Sequence, residues 1–220
     1  MGPAYAHAGA WPVPGDGQSI ENVAVGQRND VDVYEVSGYG ESGVDGRRSW
    51  VSTGWGEFAE DNADGTRAES YLGVKYALVT NEHAAISVQA GVLYITDPRD
   101  GCSEGGVELR FMGGRNFRHG SFANLEVAGR ALDGGEECLG SRVELTVGRQ
   151  DGGRWLALGQ ILVDAPLDGE DTVKAQFSLV RFGNDGGRGI QFGLRVRLDG
   201  GAAEPALVLG LWRRRHSHGD

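Results

Sequence analysis

The stretch Ile190-Gln191-Phe192-Gly193-Leu194-Arg195-Val196-Arg197-Leu198 sets Ile, Phe, Leu, Val and Leu on one side of a strand and Gln, Gly and two Arg on the other. Side chains in a strand alternate between faces with period 2, so this segment reads as a strand with one apolar and one polar face. The same period recurs up the chain. Val143, Leu145 and Val147 alternate with Arg142, Glu144, Thr146 and Gly148, and Val107, Leu109 and Phe111 with Glu108 and Arg110. Leu125 and Val127 alternate with Asn124, Glu126 and Arg130. Val173, Ala175, Phe177 and Leu179 alternate with Lys174, Gln176 and Ser178, and Leu72, Val74, Tyr76 and Leu78 with Tyr71, Gly73 and Lys75.

Helix signals are almost absent, and Gly/Asp/Asn clusters bound the apolar runs. The pattern predicts twelve strands: 18–27, 31–43, 47–58, 66–79, 84–95, 106–117, 121–132, 139–149, 154–163, 172–182, 188–198 and 205–214. They are 10 to 14 residues long. Soluble strands average about 5–6 residues, whereas tilted strands that cross a bilayer need about 9–11. Period alone does not choose between a soluble sandwich with its apolar face inward and a membrane barrel with that face toward lipid.

The connections choose. Those numbered even (44–46, 80–83, 118–120, 150–153 and 183–187) are short. The odd ones carry sixteen carboxylates, among them Asp97, Asp133, Asp164, Asp199 and Glu204, against Arg28 and Arg99 alone. Short turns at one end and longer loops at the other, with an even strand number, are the pattern of bacterial outer-membrane barrels. The expected fold is therefore all-β: an antiparallel up-and-down transmembrane β-barrel of about twelve strands, with short periplasmic turns and longer acidic extracellular loops. Its aromatic residues, Trp11, Trp50, Trp55, Trp155, Trp212, Tyr34, Tyr39, Tyr76 and Tyr94, are expected to form girdles at the membrane interfaces.

Composition agrees. Of 220 residues 38 are Gly, against an average of about 7 %, with 6 Pro and no Gly-X-Y period. The longest apolar run, Ala206 to Trp212, is far short of the roughly 20 residues of a spanning helix. A net charge of −10 argues against nucleic acid as a partner. The A-x-A step Ala6-His7-Ala8 resembles a secretory cleavage site. Residues 1–8 are expected to be a signal-peptide remnant, 9–215 the barrel and 216–220 a polar tail. Cys102 and Cys138 fall in adjacent odd loops at one end, where a disulfide would pin the loops together in an oxidising compartment.

The opening Ala8-Gly9-Ala10-Trp11-Pro12 followed by Gly17-Gln18 resembles the mature start of a group of uncharacterised outer-membrane barrel proteins of alphaproteobacteria. Trp155-Leu156-Ala157-Leu158-Gly159-Gln160, Gln176-Phe177-Ser178, Gly189-Ile190-Gln191-Phe192-Gly193 and the ending Leu209-Gly210-Leu211-Trp212-Arg213-Arg214 are similar too. The resemblance implies an outer-membrane β-barrel, porin-like or transporter-like by fold, with no catalytic residues to carry over. Such barrels commonly end on an aromatic residue read by the barrel-assembly machinery. Here Arg215-His216-Ser217-His218-Gly219-Asp220 follows Trp212.

Other motifs carry little chemistry. Gly38-Tyr39-Gly40-Glu41-Ser42-Gly43 matches G-x-G-x-x-G but runs into a strand rather than a helix. Gly101-Cys102-Ser103-Glu104-Gly105 matches G-x-S-x-G without the flanking strand and helix of a nucleophile elbow. Glu60-Asp61-Asn62-Ala63-Asp64-Gly65 echoes a calcium loop, yet its twelfth position is Tyr71 where a bidentate Glu is required. No enzyme activity and no cofactor are expected. Diffuse cation binding is expected at Glu60, Asp61, Asp64, Glu136, Glu137, Asp168, Glu170 and Asp171, in competition with lipopolysaccharide phosphates. His216 and His218 belong to a solvated tail rather than to a specific metal site.

The polar-face residues Glu108, Arg110, Glu126, Arg130, Arg142, Glu144, Lys174, Arg195 and Arg197 are the candidates for the lumen lining. The leading expectation is a narrow porin-like channel in the bacterial outer membrane, with charge rings that select small solutes. Two alternatives stay open. One is a structural or interaction barrel whose acidic loops bind cations or a surface partner. The other is a soluble periplasmic β-sandwich or small barrel that binds a ligand.

Overall fold

A computed structural model describes residues 9–13, 17–28, 31–59, 67–98, 100–151, 154–165, 171–184, 186–199 and 202–214. Twelve strands follow in order: β1 Gln18–Arg28, β2 Val31–Gly43, β3 Arg48–Ala59, β4 Arg67–Thr80, β5 Ala84–Ile95 and β6 Gly105–Asn116. Then come β7 Ser121–Leu132, β8 Leu139–Asp151, β9 Trp155–Ala165, β10 Thr172–Phe182, β11 Arg188–Asp199 and β12 Ala202–Arg214. Each pairs antiparallel with its chain neighbours, and β1 closes on β12 from Gln18↔Arg214 to Gly26↔Ala206. Closure leaves no free sheet edge, as a strand structure in lipid requires.

Alternation sets the two surfaces. Leu207, Val92, Val107, Phe177, Phe192 and Leu209 all point outward and stay exposed, whereas Val208, Gln191, Ser178 and Glu108 on the opposite face are buried. The exposed face is thus the apolar one, and a sandwich with an apolar interior is not what the chain builds. At one point the alternation slips. The β4–β5 register shifts between Ala77 and Val79, and the extra residue leaves Leu78 and Val79 both exposed on the apolar wall.

The β2–β3 and β4–β5 connections are tight turns. Asp45 Oδ1 accepts the backbone N–H groups of Arg47 (2.9 Å) and Arg48 (2.7 Å), and Asn81 Oδ1 those of His83 (2.8 Å) and Ala84 (3.0 Å). The N–H donors hold the Asp45 carboxyl below its usual range. On the other side, Cys102 and Cys138 form a disulfide that joins the β5–β6 and β7–β8 connections.

Two boundary differences change the reading of the loops. Strands β9 and β12 extend further than the alternation indicates, so Asp164 and Glu204 are strand residues facing the interior rather than loop acids. Residues 1–8 and 215–220 lie outside the described residues, as do Glu60, Asp61, Asp64, Asp168 and Glu170 and the side chain of Glu137.

Candidate functional site: the barrel interior

Each candidate lumen residue sits on the inward face. Glu108 and Arg110 come from β6, Glu126 and Arg130 from β7, Arg142 and Glu144 from β8, Lys174 from β10, and Arg195 and Arg197 from β11. They do not form simple rings. They join two ion-pair networks with partners that the alternation of the neighbouring strands also marks, though less plainly because those strands are rich in Gly and Ser.

In the first network Glu35 on β2 accepts from Lys174 (3.1 Å), Arg195 (2.6 Å) and the Trp55 indole N–H (3.2 Å). The Lys174 ammonium also lies 5.4 Å from the centre of the Trp55 ring. Arg28 forks onto both oxygens of Glu57 at 2.8 and 2.9 Å and reaches Glu204 at 3.1 Å, while Arg197 approaches Glu57 at 3.6 Å. In the second, Arg110 bridges Glu108 and Glu126, both at 2.8 Å. Arg130, nearly fully buried, meets Glu69, Glu108 (3.4 Å) and Asp164 (3.7 Å). Arg142 ties Asp164 (2.7 Å) to Glu69 (3.4 Å).

Several of these contacts are chords. Lys174–Glu35 joins β10 to β2 and Arg142–Glu69 joins β8 to β4, in each case four strands apart around the wall. Glu126 and Glu144 face each other directly across β7 and β8. Glu126 is held by Arg110, whereas among the described residues Glu144 takes only neutral donors, Thr146 Oγ1 and Gln160 Nε2, each at 3.0 Å. An amide ladder then descends the wall. Gln160 accepts from Gln176, Gln176 and Gln191 both donate to Ser178, and Gln191 accepts from the Trp212 indole at 2.6 Å.

Between the networks lies a cavity of about 360 Å³, bounded above by Glu57, Arg67, Glu69 and Asp164 and below by Phe122, Leu158 and Trp212. Its floor is apolar: Phe122, Leu156, Leu158, Val180, Phe182 and Trp212 pack together at the short-turn end, with Phe182 and Trp212 edge to face. Toward the loop end, Val51, Tyr71, Leu93, Ile95, Leu132 and Cys138 fill one side of the interior beneath the disulfide. Among the described residues no cluster of three or more His, Cys, Asp or Glu side chains is arranged to hold a metal, and Glu136 and Asp171 are exposed.

The segment preceding β1 is inside the barrel too. Gly9–Val13 lies against the short-turn end of the lumen, with Ala10, Trp11 and Val13 buried. Lys75 Nζ donates to the carbonyls of Gly9 and Trp11, both at 3.0 Å, and Asn124 Oδ1 accepts from Ala10 N–H (3.0 Å). Ser87 donates to the Ala10 carbonyl, and the Trp11 indole to Asn81 O at 3.3 Å. Lys75 is paired at 2.6 Å with Glu41, which also accepts from Ser49 and Tyr39 at 2.5 Å and from Val13 N–H at 3.3 Å. The Trp11 ring packs on Gly114, where any Cβ would collide with it. Trp11 is thus a lumen residue and not part of a girdle. The same holds for Trp55, Trp212 and Tyr39, so only Trp50, Trp155, Tyr34, Tyr76 and Tyr94 face outward among the nine expected girdle residues.

No protein-family model matches the chain, and no curated protein matches it. Solved structures do. The chain is similar to the KdgM porin, with a TM-score of 0.64 at 6 % identity over 90 % of this chain and 99 % of that one. It is similar to an outer membrane channel from Pseudomonas putida F1, with a TM-score of 0.64 at 13 % identity over 94 % and 98 % of the two chains. The β domain of the Bordetella autotransporter BrkA gives 0.50 at 13 % identity over 90 % and 98 %. At these identities the likeness is one of fold: the chain has the closed barrel of outer-membrane porins and autotransporters.

Proposed function

We propose that this barrel is a narrow channel of the bacterial outer membrane that passes small hydrophilic solutes. The observation that carries the reading is the division between its surfaces. The apolar side chains stand outside, while the charged and amide side chains converge on an interior cavity of about 360 Å³. A wall of that kind is stable only against lipid, and a polar interior bridged by ion pairs admits water and small polar molecules rather than apolar ones. The likeness to a porin and to an outer membrane channel supports the same reading.

Glu108, Arg110, Glu126, Arg130, Arg142, Glu144, Lys174, Arg195 and Arg197 supply the selectivity, together with Glu35, Glu57 and Glu69. The partners are then the bilayer with its lipopolysaccharide, the barrel-assembly machinery during insertion, and the solute. The acidic loops hold divalent cations diffusely. The decisive experiment records single-channel currents from the refolded protein in planar bilayers. Discrete steps support a channel. Silence from protein whose unboiled band is compact in SDS identifies a structural barrel, a reading favoured by the occupied short-turn end.

A further inference from the structure

We propose that the short-turn rim is a docking collar for anionic glycerophospholipid headgroups, built from Arg48, Arg115, Arg149, Arg181, Arg188 and Arg213. The inference rests on the reading of the chain as a membrane-spanning barrel. By strand parity each of the six points away from the lumen, and all six are exposed. They come from β3, β6, β8, β10, β11 and β12, so they are distributed around the wall. Among the described residues, no Lys or Arg on a strand faces outward anywhere else. The basic residues toward the other rim, Arg28, Arg67, Arg130, Arg142 and Arg197, all face inward.

Their partners are mostly missing. Arg48 pairs with Asp45 at 2.6 Å and Arg213 with Glu21 at 3.4 Å. Among the described residues, Arg115, Arg149, Arg181 and Arg188 have no carboxylate within 4.0 Å. Arg188 and Arg213 stand directly opposite each other across β11 and β12. Like charges in that position repel, and an anion shared between them removes the repulsion. Two of the guanidinium groups are poised over aromatic rings at the edge of the apolar wall: Arg181 5.6 Å from the Trp155 ring centre, and Arg115 5.8 Å from that of Phe117. Aromatic rings favour the level of lipid headgroups, and a planar guanidinium matches two oxygens of a phosphodiester.

The occupant follows from shape and side. A collar spread around a cylinder, at the boundary of its lipid-facing wall, fits an annulus of lipids and not one compact partner. Short turns mark the periplasmic side, where the leaflet consists of glycerophospholipids rather than lipid A.

The test measures lipid retention by the folded full-length protein in detergent. Native mass spectrometry would be run with phosphatidylglycerol, phosphatidylcholine and lipid A, on the wild type and on an R149Q/R181Q/R188Q variant. The expected result is preferential retention of phosphatidylglycerol that falls about tenfold or more in the variant and weakens at high salt. Equal retention of phosphatidylglycerol and phosphatidylcholine overturns the proposal, as does a preference that survives the triple substitution. Lipid A held through the same arginines also overturns it, by placing the rim in the other leaflet. Failure to enter vesicles at all is a separate readout and removes the membrane-spanning reading itself.

Discussion

Lys174 and Glu35 stand four strands apart around the wall and meet at 3.1 Å across the interior, a contact that narrows the lumen at that level. Glu35 is also held by Arg195 at 2.6 Å, so Lys174 can be removed without leaving Glu35 alone, whereas removing Glu35 leaves Lys174 beside Arg195 with no carboxylate among the described residues. K174M is expected to lower stability by about 1–3 kcal/mol, below the full cost of stranding a buried charge, and to increase conductance. It removes a cation and so shifts selectivity toward cations. E35Q leaves Lys174 and Arg195 facing the passage and shifts it toward anions. Reversal potentials under a salt gradient check the sign, and shifts of the same direction in both variants would contradict the assignment.

The seat of Gly9–Val13 predicts a second effect on current. Lys75 holds two carbonyls of this segment, and Gly114 is the floor on which Trp11 rests. G114V places a side chain where the indole lies, and is expected to displace the segment while the strands stay paired. W11A instead empties its seat and costs about 3–5 kcal/mol of core packing. Both variants are expected to give larger single-channel steps than the wild type. Unchanged steps in G114V, with the compact unboiled band retained, would show that the segment does not limit passage.

The disulfide separates stability from selectivity. Cys102 and Cys138 are 36 residues apart and staple the loops above the Leu93/Ile95/Leu132 cluster. A closed loop of that size is worth about 3–4 kcal/mol in the chain-entropy account. C102S/C138S is therefore expected to convert to the unfolded band in SDS at a lower temperature. The lumen charges of Glu35, Lys174 and Arg195 lie on β2, β10 and β11, away from the connections that the disulfide joins, so ion selectivity is expected to stay at the wild-type value. A changed reversal potential would place the loops in the conduction path.

Much of this architecture is legible in the sequence because the period of 2 is unbroken where the apolar residues are large. In β11 the run from Ile190 to Leu198 settles both the strand and its inward Arg195 and Arg197. The signal fades where one face is Gly and Ser. In β2 Glu35 and Ser37 alternate with Tyr34, Val36 and Gly38, and the carboxylate that organises the first network is easily passed over. Asp164 and Glu204 look like loop acids because only the small Ala165 and the pair Ala202-Ala203 lie beyond them to mark the strand ends, and their partners Arg142 and Arg28 reveal the strand. The placement of Trp11 is not encoded locally at all. It depends on Gly114, Ser87 and Lys75, brought together by barrel closure from positions more than 60 residues away.

Leu207 offers the most direct trial of what surrounds the wall. It lies midway along β12, is 67 % exposed, and is flanked by the inward Ala206 and Val208. In water an arginine at so exposed a position would be nearly neutral, because it removes no packing and desolvates no charge. In a bilayer the same residue sits near the midplane of the lipid-facing surface, where an arginine costs about 2–4 kcal/mol. L207R is therefore expected to fold less completely into vesicles than the wild type, read as a smaller fraction of compact unboiled band at equal lipid. E21R supplies the control: Glu21 is exposed on the outward face of β1 near the short-turn rim, where the depth-dependent cost falls to about 0–1 kcal/mol. A large loss in L207R with little in E21R locates the hydrocarbon layer on the barrel. Equal behaviour of the two variants would mean that the apolar wall is covered by something other than lipid.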